Sequence, residues 1–584
     1  MNREQLDLKR IVLASIFLSF FILGTYLIFT TPSNVKIVYN RTVQTKDKEQ
    51  ISFDTFQPKE HEKGRMKAVI IGHGIMVNKE MMKSFALEIA ASGYFVVTVD
   101  FRGHGLSTGE LKMGRLINEI KAIKNYLKDR GDIDYHNLAY IGYSMGGRPG
   151  NKIVKDDGDF KCFIGIGTSL DIDYEDSLNR ELNILMILGK YDQAFDLKHR
   201  KEEIADRLDI DTDEVHVNKL YGNFEDGNAT KLFLDDNSDH FTTAYDQDFV
   251  REARDWVINT FRDVDPPDSN FYGNLRALIL IMQLVGGIGF FFFIIDPISK
   301  LISNLKLSFV NKKESAKDPI SKSKTDAEVK TPFKFNTENE TIKSLSLKTL
   351  FYSMQLAIPG YFISIWIFLF LPLSMAGFTI VLLFGQAYGI FIMLWRISKK
   401  SNLKIKEIFL GPFKMSRDNL MRQILLGTII SIILYVIIYL SIGLNYLGIV
   451  PALHKVIWIP IYFAIAFFIF LIYNELFHMI ILEKFKNDFK NLVKAVLLIV
   501  GFQLVYTITY ILLLCFLLGS FFFVIILYIA IPLYIVCNFI SALLYQKTKS
   551  IIAGTLVSTV VTILLVATLS PFMLGIEMMT IFAN

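Results

Sequence analysis

Long apolar runs recur along the chain at a length that suits a lipid bilayer. The first, residues 11–29, carries no charge and follows the basic side chains Arg3, Lys9 and Arg10. A second run covers residues 275–295. Seven more occupy residues 350–372, 376–396, 424–446, 456–481, 495–517, 519–545 and 551–573. Because a transmembrane helix needs about 20 mainly apolar residues, the pattern predicts nine membrane spans.

The pattern changes between residues 35 and 256, where short apolar runs alternate with stretches of helical periodicity. The apolar runs predict strands at 66–71, 94–99, 138–141, 160–166, 184–188 and 230–234. Helices are predicted at 79–91, 111–128, 196–208 and 246–261. This alternation is typical of an α/β domain with one doubly wound sheet, and its length is sufficient for a core of its own.

Composition agrees with a division into a soluble part and a membrane part. The chain has 584 residues, of which 52% are hydrophobic and 49 are phenylalanine, and this is too apolar for a soluble protein of that size. We expect a signal-anchor helix, an α/β domain, one further span, a lysine-rich cytoplasmic linker and an all-α, multi-pass transmembrane domain of seven spans. Their predicted ranges are 1–30, 31–265, 275–296, 297–349 and 350–584.

Basic residues predict the orientation of the chain in the cell membrane, since lysine and arginine favour the cytoplasmic side. Those before residue 11 place the N-terminus in the cytoplasm and the α/β domain outside it. The basic loops at 396–422, 484–494 and 547–549 then all fall inside. The first span exits through Thr31-Pro32 without the small-residue site of a cleaved signal peptide, so an uncleaved anchor is predicted.

Charge and cysteine content narrow the class of function. The formal net charge is +5, but acidic residues outnumber basic ones in the α/β region and the excess of basic residues lies elsewhere. A nucleic-acid partner is therefore not expected, because the soluble domain has no evident basic surface. The three cysteines, Cys162, Cys515 and Cys537, provide neither a disulfide framework nor metal-ligand spacing. We expect no metal and no organic cofactor.

The strongest chemical motif is Gly142-Tyr143-Ser144-Met145-Gly146, directly after the predicted strand at 138–141. A G-x-S-x-G turn between a strand and a helix is typical of a nucleophile elbow, which exposes the serine hydroxyl in strained backbone geometry. The helix that follows favours negative charge at its N-terminus. Because the motif alone occurs by chance in many chains, its neighbours decide its meaning.

A nucleophilic Ser144 needs a base, and the base needs an orienting carboxylate. Asp192 and His240 follow the last two predicted strands, in that order along the chain. Asp196 is the weaker alternative for the acid, and Asp239 would have to fold back to reach the neighbouring histidine.

Glycine-rich loops follow the first two predicted strands. Such loops let backbone N–H groups reach an oxyanion, and the amides of Ile75 and Met145 are the candidates for this pair. His73 and His104, which lie in the two loops, are expected to be structural rather than catalytic.

Residues 66–261 resemble the α/β-hydrolase superfamily, in particular the branch of serine aminopeptidases, monoacylglycerol lipases and feruloyl esterases. The resemblance is carried by Gly72-His73-Gly74, by Asp100-Phe101-Arg102-Gly103-His104-Gly105-Leu106-Ser107, by Gly142-Tyr143-Ser144-Met145-Gly146, and by Asp192 with His240. It implies that Ser144 is the nucleophile, His240 the general base and Asp192 its orienting acid, with the oxyanion at the Ile75 and Met145 amides. The seven-span region resembles no family that we can name.

Two features depart from or qualify this resemblance. The helix after the elbow would contain Arg148-Pro149-Gly150-Asn151, and Pro149 is expected to disturb it beyond the first turn.

The segments 168–182 and 209–227 could cover the site, but both are acidic, so a large hydrophobic lid is not expected. The second is predicted to be a solvated connection. Acidic loops would suit a basic substrate such as an amine terminus.

A polar cluster lies within the sixth predicted span, where Asn474, Glu475 and His478 stand close together. Ionisable residues inside a membrane are functional hypotheses. The cluster could be a proton or cation site, a polar contact between helices, or the inner end of the span near Glu483 and Lys484.

These observations favour a membrane-bound serine hydrolase that cleaves an ester, a thioester or an amide through an acyl-enzyme intermediate. The expected partners are membrane lipid and a small-molecule, lipid or envelope-derived acyl substrate. Alternatives are a serine peptidase, an acyltransferase whose acceptor comes from the membrane domain, and a transporter or sensor with a non-catalytic hydrolase-like domain. The oligomeric state stays open.

Overall fold

A computed structural model describes residues 3–60, 64–177, 180–261, 271–305, 335–337 and 339–583. The strands are β1 (Val35–Gln44), β2 (Gln50–Pro58), β3 (Met66–Gly72), β4 (Phe95–Val99), β5 (Ile133–Tyr143), β6 (Phe160–Ile166), β7 (Asn183–Gly189), β8 (Leu220–Tyr221) and β9 (Thr230–Asp235). The helices up to the end of the α/β domain are α1 (Arg3–Thr30), α2 (Lys83–Ala91), α3 (Ile117–Lys128), α4 (Gly147–Asp156), α5 (Tyr174–Ser177), α6 (Leu197–Leu208) and α7 (Gln247–Phe261).

The remaining helices are mostly long and apolar. They are α8 (Gly273–Asn304), α9 (Ile342–Gln355), α10 (Ala357–Phe370), α11 (Ser374–Lys400), α12 (Lys406–Leu410), α13 (Arg417–Ile438), α14 (Leu453–Val456), α15 (Ile459–Asn474), α16 (Phe489–Leu518), α17 (Ile526–Thr548), α18 (Ile552–Leu569) and α19 (Gly575–Ala583). Helices thus occupy both ends of the predicted linker at 297–349, and residues 306–334 of that linker lie outside the described residues.

The nine strands form one sheet in the order β1-β2-β4-β3-β5-β6-β7-β9-β8. The strands from β4 to β9 in this order run parallel, whereas β1, β2 and β8 pair antiparallel with their neighbours. The strand order reverses around β3, and open α/β sheets place their sites at the carboxyl ends of strands near such a reversal. The predicted doubly wound α/β sheet is confirmed.

Helices cover both faces of the sheet because successive strand residues point to opposite sides. Ile70 packs in one core with Ile120 of α3, and the next residue, Ile71, packs in the other core with Phe85 of α2 and Trp256 of α7. Burying a side chain of this size stabilises the fold by roughly 1.5–3 kcal/mol. The two cores hold the strand ends, and therefore the loops that follow them, in fixed positions.

The sequence pattern missed three strands and misjudged one helix. Most residues of β1 are not buried, and its register with β2 shifts after Val38, so it lacks the apolar run that marked the inner strands. Pro149 does not disturb α4, contrary to expectation. It is the third residue of that helix, where a backbone N–H has no intrahelical acceptor to lose.

Eight helices among the described residues are long and apolar enough to cross a membrane, and nine result if α9 and α10, bent by 50° to each other, form one span. The larger number equals the predicted count of nine. A multi-pass membrane protein is therefore indicated, and its orientation stays a prediction.

The two helices that flank the α/β domain pack against each other. A Cβ on Gly24 of α1 would lie 2.6 Å from the Gln283 side chain, and a Cβ on Gly286 of α8 would lie 2.5 Å from the backbone of Phe21. Small residues of this kind let membrane helices approach closely. Gln283 also donates a hydrogen bond to the Thr25 hydroxyl at 3.1 Å.

The α/β domain is docked on the membrane helices through backbone groups. The Leu111 N–H donates to the Phe572 carbonyl at 3.0 Å, and the Phe572 N–H donates to the Gly103 carbonyl at 2.7 Å. We call these two hydrogen bonds the backbone clasp. Nearby, the Asn78 side-chain amide exchanges two hydrogen bonds with the backbone of Gly448, at 3.0 and 2.9 Å.

Candidate active site

The turn after β5 holds Ser144 in a conformation that a serine rarely adopts. Its φ is 50°, in the left-handed region, and such backbone strain concentrates at functional sites. A Cβ on Gly142 would lie 2.6 Å from the Gly146 carbonyl oxygen, and a Cβ on Gly146 would lie 2.6 Å from the Gly72 carbonyl oxygen. Only glycines fit on either side of this serine, which explains the G-x-S-x-G spacing.

The structure brings Ser144, His240 and Asp192 into one chain of hydrogen bonds. The Ser144 Oγ lies 2.9 Å from Nε2 of His240, and Nδ1 of the same ring lies 2.8 Å from Oδ2 of Asp192. The Asp192 side chain is fully buried, and its Oδ1 accepts the N–H groups of Ala194 and Phe195 at 2.8 and 2.9 Å. With Nδ1–H donated to the carboxylate, the Nε2 lone pair faces the serine hydroxyl.

Three aromatic rings surround the imidazole of His240. Tyr143 stacks on it at a centroid distance of 5.5 Å, and Phe195 lies at 5.7 Å. The third ring, Phe522 at 6.0 Å, comes from the turn that precedes α17 of the membrane domain. The Tyr143 hydroxyl also donates to the His240 carbonyl at 2.7 Å. Burial raises the pKa of Tyr143 well above its usual value, with the Asp192 charge as a further cause, so this phenol stays a donor.

The loop that carries His240 is held by its neighbour Asp239. The Asp239 carboxylate accepts hydrogen bonds from Gln193 at 3.1 Å and from the Thr242 backbone at 2.9 Å, and it also accepts one from the Tyr528 hydroxyl of α17. Burial alone would raise the pKa of Asp239, but these hydrogen bonds outweigh burial and lower it. Tyr528 further stacks on Phe241 at 5.2 Å.

Two other carboxylates were considered for the orienting acid. Asp239 forms the hydrogen bonds described above, and none of them is to the His240 ring. Asp196 caps α6 and accepts the N–H of His199 at 3.0 Å. That hydrogen bond, opposed by slight burial, lowers the pKa of Asp196.

The predicted oxyanion donors lie in the two segments that border Ser144. A Cβ on Gly74 would come within 3.2 Å of the Ser144 Cβ, so the loop after β3 presses against the serine, and Ile75 follows directly. In the turns and loops that the structure describes, the Ile75 amide donates to no other backbone group. The Met145 amide lies in the first turn after β5, where N–H groups lack intrahelical acceptors. Their role stays a prediction.

Both loop histidines make at least one close polar contact within the protein. The Nδ1 of His73 lies 2.6 Å from the Gly74 carbonyl, and its Nε2 accepts the N–H of Phe101 at 3.1 Å. Burial lowers the pKa of His73 to about 4, so the ring is neutral at physiological pH. The Nδ1 of His104 lies 3.2 Å from the Arg102 carbonyl.

The two segments considered as possible covers belong, in their described residues, to the α/β domain. Leu170 and Ile172 are buried in the core of the α/β domain, followed by the short helix α5, and residues 178 and 179 lie outside the described residues. The segment 209–227 forms the edge strand β8 beside β9. The membrane domain instead approaches the site, through Phe522 and Tyr528. Sequence reasoning missed both, because nothing near them in the chain points to a histidine almost 300 residues away.

The predicted polar cluster of the membrane domain is buried: Asn474 ends α15, and Glu475 and His478 lie in the π-helical segment Glu475–Ile481 that follows. Glu475 and His478 are fully shielded from solvent, and none of their four side-chain polar atoms has a hydrogen-bond partner among the described residues. The three interpretations, a proton or cation site, a polar contact between helices and the inner end of the span, stay predictions. No group of three or more potential metal ligands occurs in the described part of the chain.

Comparison with known proteins identifies the family that part of this chain resembles. Residues 64–208 match the sequence model of a family described as serine aminopeptidase, S33. The resemblance to α/β-hydrolases predicted from the sequence is confirmed for that segment. The matched segment includes Ser144 and Asp192 and ends before His240.

Two solved structures are similar to part of this chain at low identity. An esterase of Pyrococcus furiosus is 17% identical, with 40% of this chain and 93% of that chain covered and a TM-score of 0.32. A hypothetical protein of Pseudomonas aeruginosa is 12% identical, with 39% and 94% covered and a TM-score of 0.30. A search of curated proteins finds no match.

Proposed function

We propose that this protein is a membrane-bound serine hydrolase that cleaves an ester through an acyl-enzyme intermediate on Ser144. The observation that carries the proposal is the chain of hydrogen bonds from Ser144 through His240 to Asp192 at a strained glycine-flanked turn. The family match over residues 64–208 supports the broader statement that this is a hydrolase.

The proposed reaction follows from these contacts. The Ser144 oxygen attacks the ester carbonyl while the Nε2 of His240 takes its proton, and Asp192 stabilises the imidazolium that forms. The alcohol leaves with that proton, and water then releases the acid from the acyl-enzyme by the same route. The amides of Ile75 and Met145 would hold the negative oxygen of each tetrahedral intermediate.

A serine peptidase is the second candidate. It uses the same nucleophile and base on an amide bond, and the description of the matching family as serine aminopeptidases favours it. A binding module has no need of a hydrogen-bonded serine, histidine and aspartate, so a purely ligand-binding role is less well supported.

We further propose that the α/β domain lies outside the cytoplasm. The support is the distribution of basic residues, which are concentrated before the first span and in alternate loops of the seven-span region.

The test is labelling of the full-length protein in membranes by a short-chain fluorophosphonate, which reacts with activated serines without needing the true substrate. We expect labelling of the wild type and at least a ~1000-fold slower reaction in Ser144→Ala and in His240→Ala, since each removes a member of one catalytic unit. A charged, membrane-impermeant probe should also label intact cells if the proposed orientation is right.

Two matched variants control for the substitutions themselves. Ser33 and His136 are exposed and remote from the site, so Ser33→Ala and His136→Ala should be labelled like the wild type. If the wild type is folded but no fluorophosphonate labels it, the proposal of a serine hydrolase is refuted. Labelling only after the cells are opened would refute the orientation alone.

A further inference from the structure

A cavity of about 350 Å³ lies among the membrane helices. Its walls come from α10, α11, α16 and α19, from the turn that leads into α17, and from Met76 of the α/β domain. Ligand pockets of proteins range from roughly 300 to 1,000 Å³, so the cavity is large enough for a small molecule or a hydrocarbon chain.

The lining of the cavity is apolar. Its two polar side chains, Tyr361 and Tyr510, use their hydroxyl groups elsewhere: the first is 2.5 Å from the Tyr506 hydroxyl, and the second donates to the Met354 carbonyl at 2.5 Å. Water needs two to four polar partners to be held in a cavity. The walls therefore suit an occupant that makes no hydrogen bonds.

Two residues that line the cavity lie close to the Ser144 site. Phe522 lines the cavity, and its ring lies 6.0 Å from the ring of His240, whose Nε2 is 2.9 Å from the Ser144 Oγ. Met76 lines the cavity too, and it follows Ile75 of the predicted oxyanion pair. The φ of Met76 is 60°, an unusual value for a methionine.

Another part of the cavity reaches the lipid-facing surface. Leu517 and Leu513 of α16 line it and are 69% and 45% exposed, and Ile358 of α10 lines it and is 52% exposed. Apolar side chains so exposed on helices of membrane-spanning length lie against lipid tails. A hydrocarbon chain could therefore enter from the bilayer without crossing water.

We propose that this cavity binds the hydrocarbon chain of a long-chain acyl ester of the membrane while its carbonyl carbon lies at Ser144. The inference rests on the proposed hydrolase function. Attack by the Ser144 oxygen forms a new C–O bond and breaks the ester C–O bond, and the serine proton passes through His240 to the departing alcohol. Water then adds its hydroxyl to the acyl carbon and returns a proton to Ser144, which releases a free long-chain acid.

The test measures the rate of Ser144 labelling by fluorophosphonates that carry an ethyl, an octyl or a hexadecyl chain, with the full-length protein in lipid nanodiscs. We expect the wild type to react faster with the longer chains. Leu514→Trp places an indole in the cavity, and it should lower the ratio of hexadecyl to ethyl rates by about 10-fold or more, because lost space for a few methylenes is worth that much discrimination.

The control is Leu512→Trp, the same substitution two residues earlier on α16, at a side chain that is 47% exposed and does not line the cavity. Its ratio of hexadecyl to ethyl labelling rates should equal that of the wild type. If Leu514→Trp does not fold, Val381→Phe on the opposite wall takes its place, with the same expectation.

The outcomes separate this inference from the function on which it rests. Labelling of Ser144 by the ethyl probe with no dependence on chain length would leave the hydrolase intact and refute the cavity as the chain site. Equal ratios for the cavity variants and Leu512→Trp would refute it too. No labelling by any probe would refute the hydrolase and this inference together.

Discussion

Two walls border the Ser144 site, one from the α/β domain and one from the membrane helices, and they differ in the kind of contact that they make. The wall from the α/β domain consists of directional hydrogen bonds, in which the Asp192 carboxylate is bonded to His240 and to two backbone amides. The wall from the membrane helices presents the apolar ring of Phe522, which also lines the cavity, and the single hydroxyl of Tyr528.

This difference matches what each wall would do in the proposed reaction. Proton transfer needs groups fixed within a few tenths of an ångström, and hydrogen bonds supply such precision. Selecting a hydrocarbon chain needs only space and the exclusion of water, which packed apolar side chains supply. We expect substitutions on the first wall to change the rate of chemistry and those on the second to change the preference among substrates.

The largest effect is expected for Asp192→Asn on the hydrogen-bonding wall. Asparagine fits the space but no longer fixes the imidazole tautomer, and in serine hydrolases such a change lowers kcat by about 10⁴-fold. Ester hydrolysis by the purified protein would measure it. Asp196→Asn is the matched control and should retain activity within about twofold, because asparagine also caps a helix. A greater loss in Asp196→Asn than in Asp192→Asn would show that the acid is assigned wrongly.

A smaller effect is expected for Tyr528→Phe, which removes a hydrogen bond from the membrane helices to the histidine loop. In the proposed enzyme Tyr528 is a positioning residue that acts through Asp239, so kcat should fall by about three- to tenfold with KM unchanged, as for one lost hydrogen bond of typical strength. Titration of active sites with the fluorophosphonate corrects for misfolded protein. Tyr26→Phe, at a 65% exposed tyrosine of α1, should have no effect. An equal change in KM and none in kcat would contradict the positioning role.

The smallest effect concerns the pH dependence of stability, which we assign to Glu203, a partly buried carboxylate of α6 in the α/β domain. Burial raises the pKa of Glu203 to about 7, although the Leu170 N–H and Arg200 oppose it. Since this lies above the value of about 4.3 in an unfolded chain, protonation stabilises the fold at low pH, and that contribution is lost as the pH rises through about 7.

The unfolding temperature of the wild type should therefore fall more between pH 5 and pH 8 than that of Glu203→Gln. The difference between the two falls should be a few degrees at most. Thermal unfolding in nanodiscs measures the two slopes. Glu202→Gln, at the more exposed neighbouring carboxylate, should keep the wild-type slope. Identical slopes for wild type and Glu203→Gln would refute the assignment of this pH dependence to Glu203.

Local chemistry explains which features the sequence predicted. The glycines around Ser144 are needed for a close approach of backbones, so they appear as a motif. Asp192 and His240 follow buried strands, which carry a strong apolar signal. Strand β1 lacks that signal because it is largely exposed.

The contribution of the membrane domain to the site had no local signal at all. Phe522 and Tyr528 look like ordinary aromatic residues of a membrane helix, and only the docking of two separately patterned regions brings them to His240 and Asp239. Hydrophobic periodicity predicts which face of a helix is buried, but it does not say which partner buries it.

The backbone clasp between Gly103, Leu111 and Phe572 has a consequence for evolution. Both of its hydrogen bonds join main-chain atoms, so they survive almost any exchange of side chains, and a proline at 111 or 572 is the substitution that would remove a donor. Related chains can therefore diverge at Leu111 and Phe572 while the two domains stay joined. Gly103 is constrained, because its φ is 75° and a Cβ there would lie 2.8 Å from the Leu111 nitrogen. The junction would be inherited as a shape of the backbone, with its main trace in residue conservation at that glycine.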